Sequence, residues 1–176
     1  MKYMSMKKII LLIAVIGLTV ACQEQKTAFV DTEELLTEYK EMKDTRERAN
    51  LENEEIQGEL DLKIKAYQIK EDLFRQNAAT MTRRKQEEKA NELRAEVQQI
   101  QQEQQSRLGK LQVDSQRAID SVITKVKDKV KAYGKQNGYT YIYGSNDAGS
   151  VLYGKEENDL TKIILEQLNA SYTADN

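Results

Sequence analysis

Two stretches decide the fold: EELLTEYKEMKDTRERANLENEEIQGELDLKIKAY, residues 33–67, and LRAEVQQIQQEQQSRLGKLQVDSQRAIDSVITKVKDKVKAYGKQ, residues 93–136. From Glu33 to Gln136 there is no Pro, and the only Gly are Gly58, Gly109 and Gly134. Glu, Gln, Lys, Arg, Leu and Ala dominate, and all are good helix formers. Apolar residues recur three and four apart: Leu35, Tyr39, Met42, Ala49, Ile56, Leu60, Ile64 and Tyr67 going out, then Leu93, Val97, Ile100, Leu108, Leu111, Ala118, Val122, Val126, Val130 and Tyr133 coming back. That seam is wide enough for one partner helix and too narrow to enclose a globular core.

The charges agree with antiparallel pairing. Residues 32–64 carry eleven Asp and Glu against five Lys and Arg, whereas residues 91–137 carry six against nine. Helices of opposite sign favour lying side by side, although each exposed pair contributes only a fraction of a kcal/mol and so sets register more than stability. Asn77, Thr80 and Thr82 are the only cluster of capping residues near the middle, which places the reversal near 77–82. The tip, residues 65–90, has seven bases to four acids on an otherwise acidic chain. Leu73, Phe74, Arg75, Met81, Arg83, Arg84 and Lys85 there are the candidate contact residues for a partner. Gly58 and Gly109 lie inside the helices, where Gly costs roughly 1 kcal/mol relative to Ala, and are candidate hinges.

Outward from the arms, the two chain ends have strand and cap signals. Thr27 to Val30 is β-prone, and Asp31 followed by Glu34 forms a capping-box pattern for the first helix. From Ala118 the apolar face of the returning helix widens through Ile119, Val122, Ile123, Val126 and Val130, as a helix meeting a packed body requires. Asn137-Gly138 ends it. Tyr139 to Tyr143 and Ser150 to Tyr153 read as two strands of a hairpin around the turn-rich 144–149. Leu160, Ile163, Ile164 and Leu168 line one face of a closing helix. The expectation is a mostly α chain: a long antiparallel helical hairpin, residues 33–117, on a small α+β body built from 22–32 and 118–176. With three strands and few large apolar residues, such a body calls for self-association.

The chain opens with Lys2, Lys7 and Lys8 before an apolar run from Ile9 to Val20, a signal-peptide pattern over residues 1–21. Leu18-Thr19-Val20-Ala21-Cys22 resembles a bacterial lipobox, which makes Cys22, the only Cys, the candidate lipidation site. Acyl chains there anchor a protein to a membrane without spanning it. Without the leader's lysines the formal net charge falls from −2 to −5, which excludes a polybasic nucleic-acid binder. With no His and one Cys, the usual metal ligands and the imidazole base are missing, and no catalytic constellation or phosphate-binding loop is present. An enzyme and a cofactor are therefore not expected.

The leader, the Lys26-to-Asp31 strand, the long hairpin, the Tyr-rich segment and the final Asp159-to-Asn169 helix together resemble the Skp/OmpH family of periplasmic chaperones for outer-membrane proteins. The resemblance covers residues 26–170 and rests on the order and spacing of elements. It implies a homotrimer whose arms enclose unfolded outer-membrane proteins without ATP, in the periplasm of a Gram-negative bacterium. The chain departs from the family's best-known members in being acidic and in carrying Cys22. The competing expectation is a coiled-coil envelope lipoprotein that acts as a spacer or scaffold.

Overall fold

The computed structural model describes residues 25–146 and 151–173. The leader, Cys22 and residues 147–150 lie outside them. In chain order the elements are β1 (Thr27–Asp31), α1 (Thr32–Glu38), α2 (Lys40–Asn77), a 3-10 turn at Ala78–Thr80, α3 (Arg83–Gln136), β2 (Tyr141–Ser145), a second 3-10 turn at Glu156–Asn158, and α4 (Thr161–Ser171). α2 and α3 form the expected antiparallel hairpin, and the described segments before and after it gather at its root.

The body is a two-stranded parallel sheet with helices packed on it. β1 pairs with β2 from Thr27 against Tyr141 to Asp31 against Ser145. Parallel strands need a long crossover between them, and here the crossover is the whole arm. Ala28 and Val30 alternate inward from β1 and meet Leu35, Met42, Val122, Val126, Leu160, Ile164 and Leu168 in one cluster. Leu35 and Ile164 are 0% exposed. Thr161 ties the sheet to the last helix: it is buried, and its hydroxyl accepts from the Asp31 N–H at 2.8 Å.

The local signals at the element ends act as expected with one exception: the Asp31 N–H goes to Thr161 and not back to Glu34, so the capping box is half formed. The Asp31 carboxylate accepts from the Glu33 and Glu34 N–H groups, both at 2.9 Å, and caps α1. Gly138 stops α3 with a φ of 69°, a left-handed conformation open to Gly at no steric cost. Asp159 accepts from the Thr161 N–H at 2.8 Å and starts α4.

Four expectations need correction. The outgoing helix is not continuous from Glu33, because Tyr39 is extended, with ψ 122°, and separates α1 from α2. Burial drives the break: the Tyr39 ring packs edge-on against Tyr172, its hydroxyl donates to Glu41 at 2.6 Å, and Asn169 Oδ1 accepts the Lys40 N–H at 2.9 Å. The Tyr-rich strand begins at Tyr141, two residues later than expected. Val151 to Tyr153 form no strand, and Leu152 and Tyr153 are exposed, so the described residues hold two strands plus a single parallel bridge from Phe29 to Asp159. A strand needs a neighbour's edge, and this segment meets the Phe29 ring, which fills the space a Cβ at Gly154 would need. Finally, Ala118 and Ile163 face solvent, because the α3 seam continues through Val122 and α4 turns Ile164 and Leu168 inward.

Candidate functional site

The arm is the feature that projects from the body, and its interior thins along its length. Met42 and Val122 are buried at the root, Ile56, Leu60 and Ile100 in the shaft, and Leu93 is the last toward the tip. Thr45 is also buried, a seam position that a purely apolar reading passes over. Gln104 is half-buried, as a polar residue on a narrow seam can be.

Charge pairs fix the register of the two helices. Glu41 pairs with Lys125, Glu59 with Arg107, Lys63 with Glu103 and Lys70 with Glu96. Each step forward along α2 is matched by an equal step back along α3, so one register holds from root to tip. At the root, burial pushes the Glu41 carboxyl upward, but hydrogen bonds from Lys125 and Tyr39 outweigh it and hold the group below the ordinary carboxylate range. Burial and the Glu41 bond raise the Tyr39 hydroxyl, and burial and Asp44 raise that of Tyr172. Both phenols therefore stay neutral donors. In the shaft, Lys63 holds Glu103 down through its hydrogen bond.

The reversal is closed without Gly or Pro. Asn77 Nδ2 donates to Leu73 O at 2.8 Å, and Thr80 Oγ1 to Asn77 O at 2.8 Å. The Gln86 amide then reaches back to Ala78 O at 2.6 Å and Met81 O at 3.2 Å, and Thr82 caps α3. Gln86 is a clamp that sequence reading did not single out; its cue is a position one turn after the cap.

The candidate tip residues flank the reversal, at the end of α2, in the turn and at the start of α3. Leu73 is half-exposed, Phe74 and Met81 are partly covered, and Arg75, Arg83, Arg84 and Lys85 face solvent. The arginines are locally balanced: Arg75 by Glu71 and Asp72, Arg83 by Glu87 and Arg84 by Glu88. Gly58 and Gly109 are exposed, stand beside the Glu59–Arg107 pair, and have no atom within 4 Å of an added Cβ. Leu51, Leu62 and Ile69 are also exposed on the arm, and sequence reading passed over them because they fall outside the seam.

The body offers an open apolar cavity of about 420 Å³ between the sheet and α3, lined by Val30, Leu35, Val126, Val130 and Ile142 with Lys127, Lys131 and Lys135 at its rim. Among the described residues no group of three or more His, Cys, Asp and Glu is placed to hold a metal, and no helix is long and apolar enough to cross a membrane.

The model of the family described as "Outer membrane protein (OmpH-like)" matches residues 26–168, which is most of the chain. No curated protein matches. Among solved structures, the fold is similar to a candidate outer membrane chaperone (OmpH-like) from Caulobacter crescentus CB15, with a TM-score of 0.77 and 14% identity over 86% of this chain and 88% of that chain. At that identity the likeness concerns the fold alone.

Proposed function

This chain belongs to the OmpH-like family, and from that premise we propose that it is an ATP-independent holdase that binds unfolded outer-membrane proteins in the periplasm and prevents their aggregation. The observation that carries the reading is the long α2–α3 hairpin, which projects beyond a small body and ends in a tip where Leu73, Phe74 and Met81 are not packed away. Unfolded barrel proteins expose alternating apolar residues and unpaired strand edges, which associate with one another. Several arms making many weak contacts hold such a chain tightly in sum and release it piece by piece. Holding needs surface, not a reaction, so neither catalysis nor a cofactor belongs to the reading. Nucleic acid has no place in it either, since the chain is acidic.

A homotrimer belongs to the same proposal. β2 is an outer strand of a two-stranded sheet, and Tyr141 and Tyr143 stack on one another while half-exposed. An unpaired edge beside exposed aromatic rings favours association through the body. The tip residues Leu73, Phe74, Arg75, Met81, Arg83, Arg84 and Lys85 are proposed as first contacts for clients, Gly58 and Gly109 as hinges, and lipid on Cys22 as a membrane anchor.

The test is dilution of a urea-unfolded outer-membrane protein into buffer with and without the purified chain, followed by light scattering. A holdase suppresses the rise in scattering. A spacer or scaffold leaves it unchanged, and that result removes the proposal.

A further inference from the structure

The seam leaves the far side of α2 without a partner. At about 100° of turn per residue, Leu51, Leu62, Ile69 and Leu73 fall within about 40° of one another and on the side opposite Ile56 and Leu60, which fill the seam. They are 58%, 68%, 62% and 52% exposed. A lone exposed Leu is ordinary, but four in line along about 33 Å of one helix form a stripe. Gly58 lies in the same line, with open space above it, so an occupant can approach the backbone there.

The charges beside the stripe are mostly of one sign. Glu54, Glu55 and Asp61 border it and make no ion pair among the described residues. Asp72 borders the far end and is shared with Arg75. The bases on that side are Lys65 and Lys70, and Lys70 is paired with Glu96. The chemistry complementary to this face is apolar along the centre and positive along the margins.

We propose that this stripe is the surface of α2 that takes extended amphipathic segments of unfolded chains, and that it selects segments whose apolar residues are flanked by Lys or Arg. The inference rests on the holdase reading and names the client chemistry for it. An extended strand turns alternate side chains to one face and rises about 3.3 Å per residue, so about ten residues span the stripe. The apolar side chains cover the four leucine and isoleucine positions, and the basic ones reach Glu54, Glu55 and Asp61. Margin charges of this kind govern selection and encounter rate, and salt screens them.

The test uses the full chain and two fluorescent strand peptides of about ten residues, one alternating Val with Lys and the other Val with Glu. Affinity is read by anisotropy. The basic peptide binds about tenfold more tightly at low salt, and the preference collapses in about 0.5 M salt. Leu62→Asn with Ile69→Asn weakens the basic peptide about tenfold with unchanged circular dichroism, since neither side chain is in the core. Glu54→Gln, Glu55→Gln and Asp61→Asn together remove the preference between peptides. Equal binding of both peptides, or undiminished binding by the Leu62/Ile69 variant, overturns the proposal. So does a changed sedimentation coefficient of that variant, which assigns the stripe to a second copy of the chain. If the parent suppresses aggregation of an unfolded outer-membrane protein and the Leu62/Ile69 variant does so equally, only the stripe falls. If the parent fails to suppress it, the holdase reading falls first.

Discussion

Lys125 of α3 reaches across the root of the arm to Glu41 of α2, whose side chain is only 12% exposed and also accepts the Tyr39 hydroxyl. This carboxylate joins three elements, because Tyr39 is also the break between α1 and α2. Its folded pKa lies below the unfolded value of 4.5. A depressed carboxyl contributes stability above its unfolded pKa and loses that contribution as pH falls through the folded one. Glu41→Gln should therefore destabilise the chain at neutral pH by about 1–2 kcal/mol. The gap to the parent should shrink below about pH 4.5, as chemical denaturation at a series of pH values would show. A gap of constant size at every pH would exclude the ionised pair as its source.

Thr161 gives a sharper test of how the body is joined. Its hydroxyl is the acceptor for the Asp31 N–H, and the residue is 1% exposed. Thr161→Val keeps the volume and removes the acceptor. The expected loss is about 1–3 kcal/mol, the cost of leaving the part-buried Asp31 N–H without its acceptor and of losing the hydroxyl's own bond to Asp159. Thermal unfolding measures it, and amide exchange at Asp31 should accelerate more than exchange at Ile56 or Leu60 in the shaft. A variant with the parent's melting temperature would mean that water replaces the hydroxyl.

What is legible in the sequence follows the range of each interaction. α2 and α3 were legible because seam spacing, opposite charge and the Thr82 cap all act within a few residues of one another, or repeat along the whole arm. Asp31 and Gly138 were legible for the same reason. The break at Tyr39 was not, because it depends on Asn169 and Tyr172, which lie far away in sequence and only meet Tyr39 once α4 has docked. The Val151–Tyr153 segment has strand-forming residues, but propensity describes fitness for a pleated surface and does not provide a neighbouring edge. Within the arm, seam periodicity identified what is buried and was silent on Leu51, Leu62 and Ile69, whose meaning lies in being unburied.

Cys22 precedes β1 and lies outside the described residues, and among those residues β1 is the first element that contributes to the core. Cys22→Ala should leave the melting temperature of the body unchanged and release the chain from membranes. Fractionation after a salt wash checks it. Retention of the variant in the membrane fraction would remove the lipid-anchor proposal and leave only protein-mediated attachment.

The last prediction concerns Gly58 and Gly109. Both are exposed helix-interior positions, and an ideal Cβ at either meets nothing within 4 Å. No clash opposes substitution, so Gly58→Ala and Gly109→Ala should each stabilise the arm by up to about 1 kcal/mol through helix propensity alone. Their position gives the softness a mechanical meaning. Glu59 and Arg107 clamp α2 to α3 immediately beside the two glycines, and Gln104 occupies the seam nearby. Ile56 and Leu60 stay buried in the seam on either side of Gly58, so a bend at the two glycine backbones need not part the helices. The double variant should therefore raise helicity and thermal stability together, and should narrow the spread of distances between spin labels placed at Thr80 of associated arms. Raised stability with an equally broad distance distribution would leave the glycines as tolerated surface residues and end their assignment as hinges.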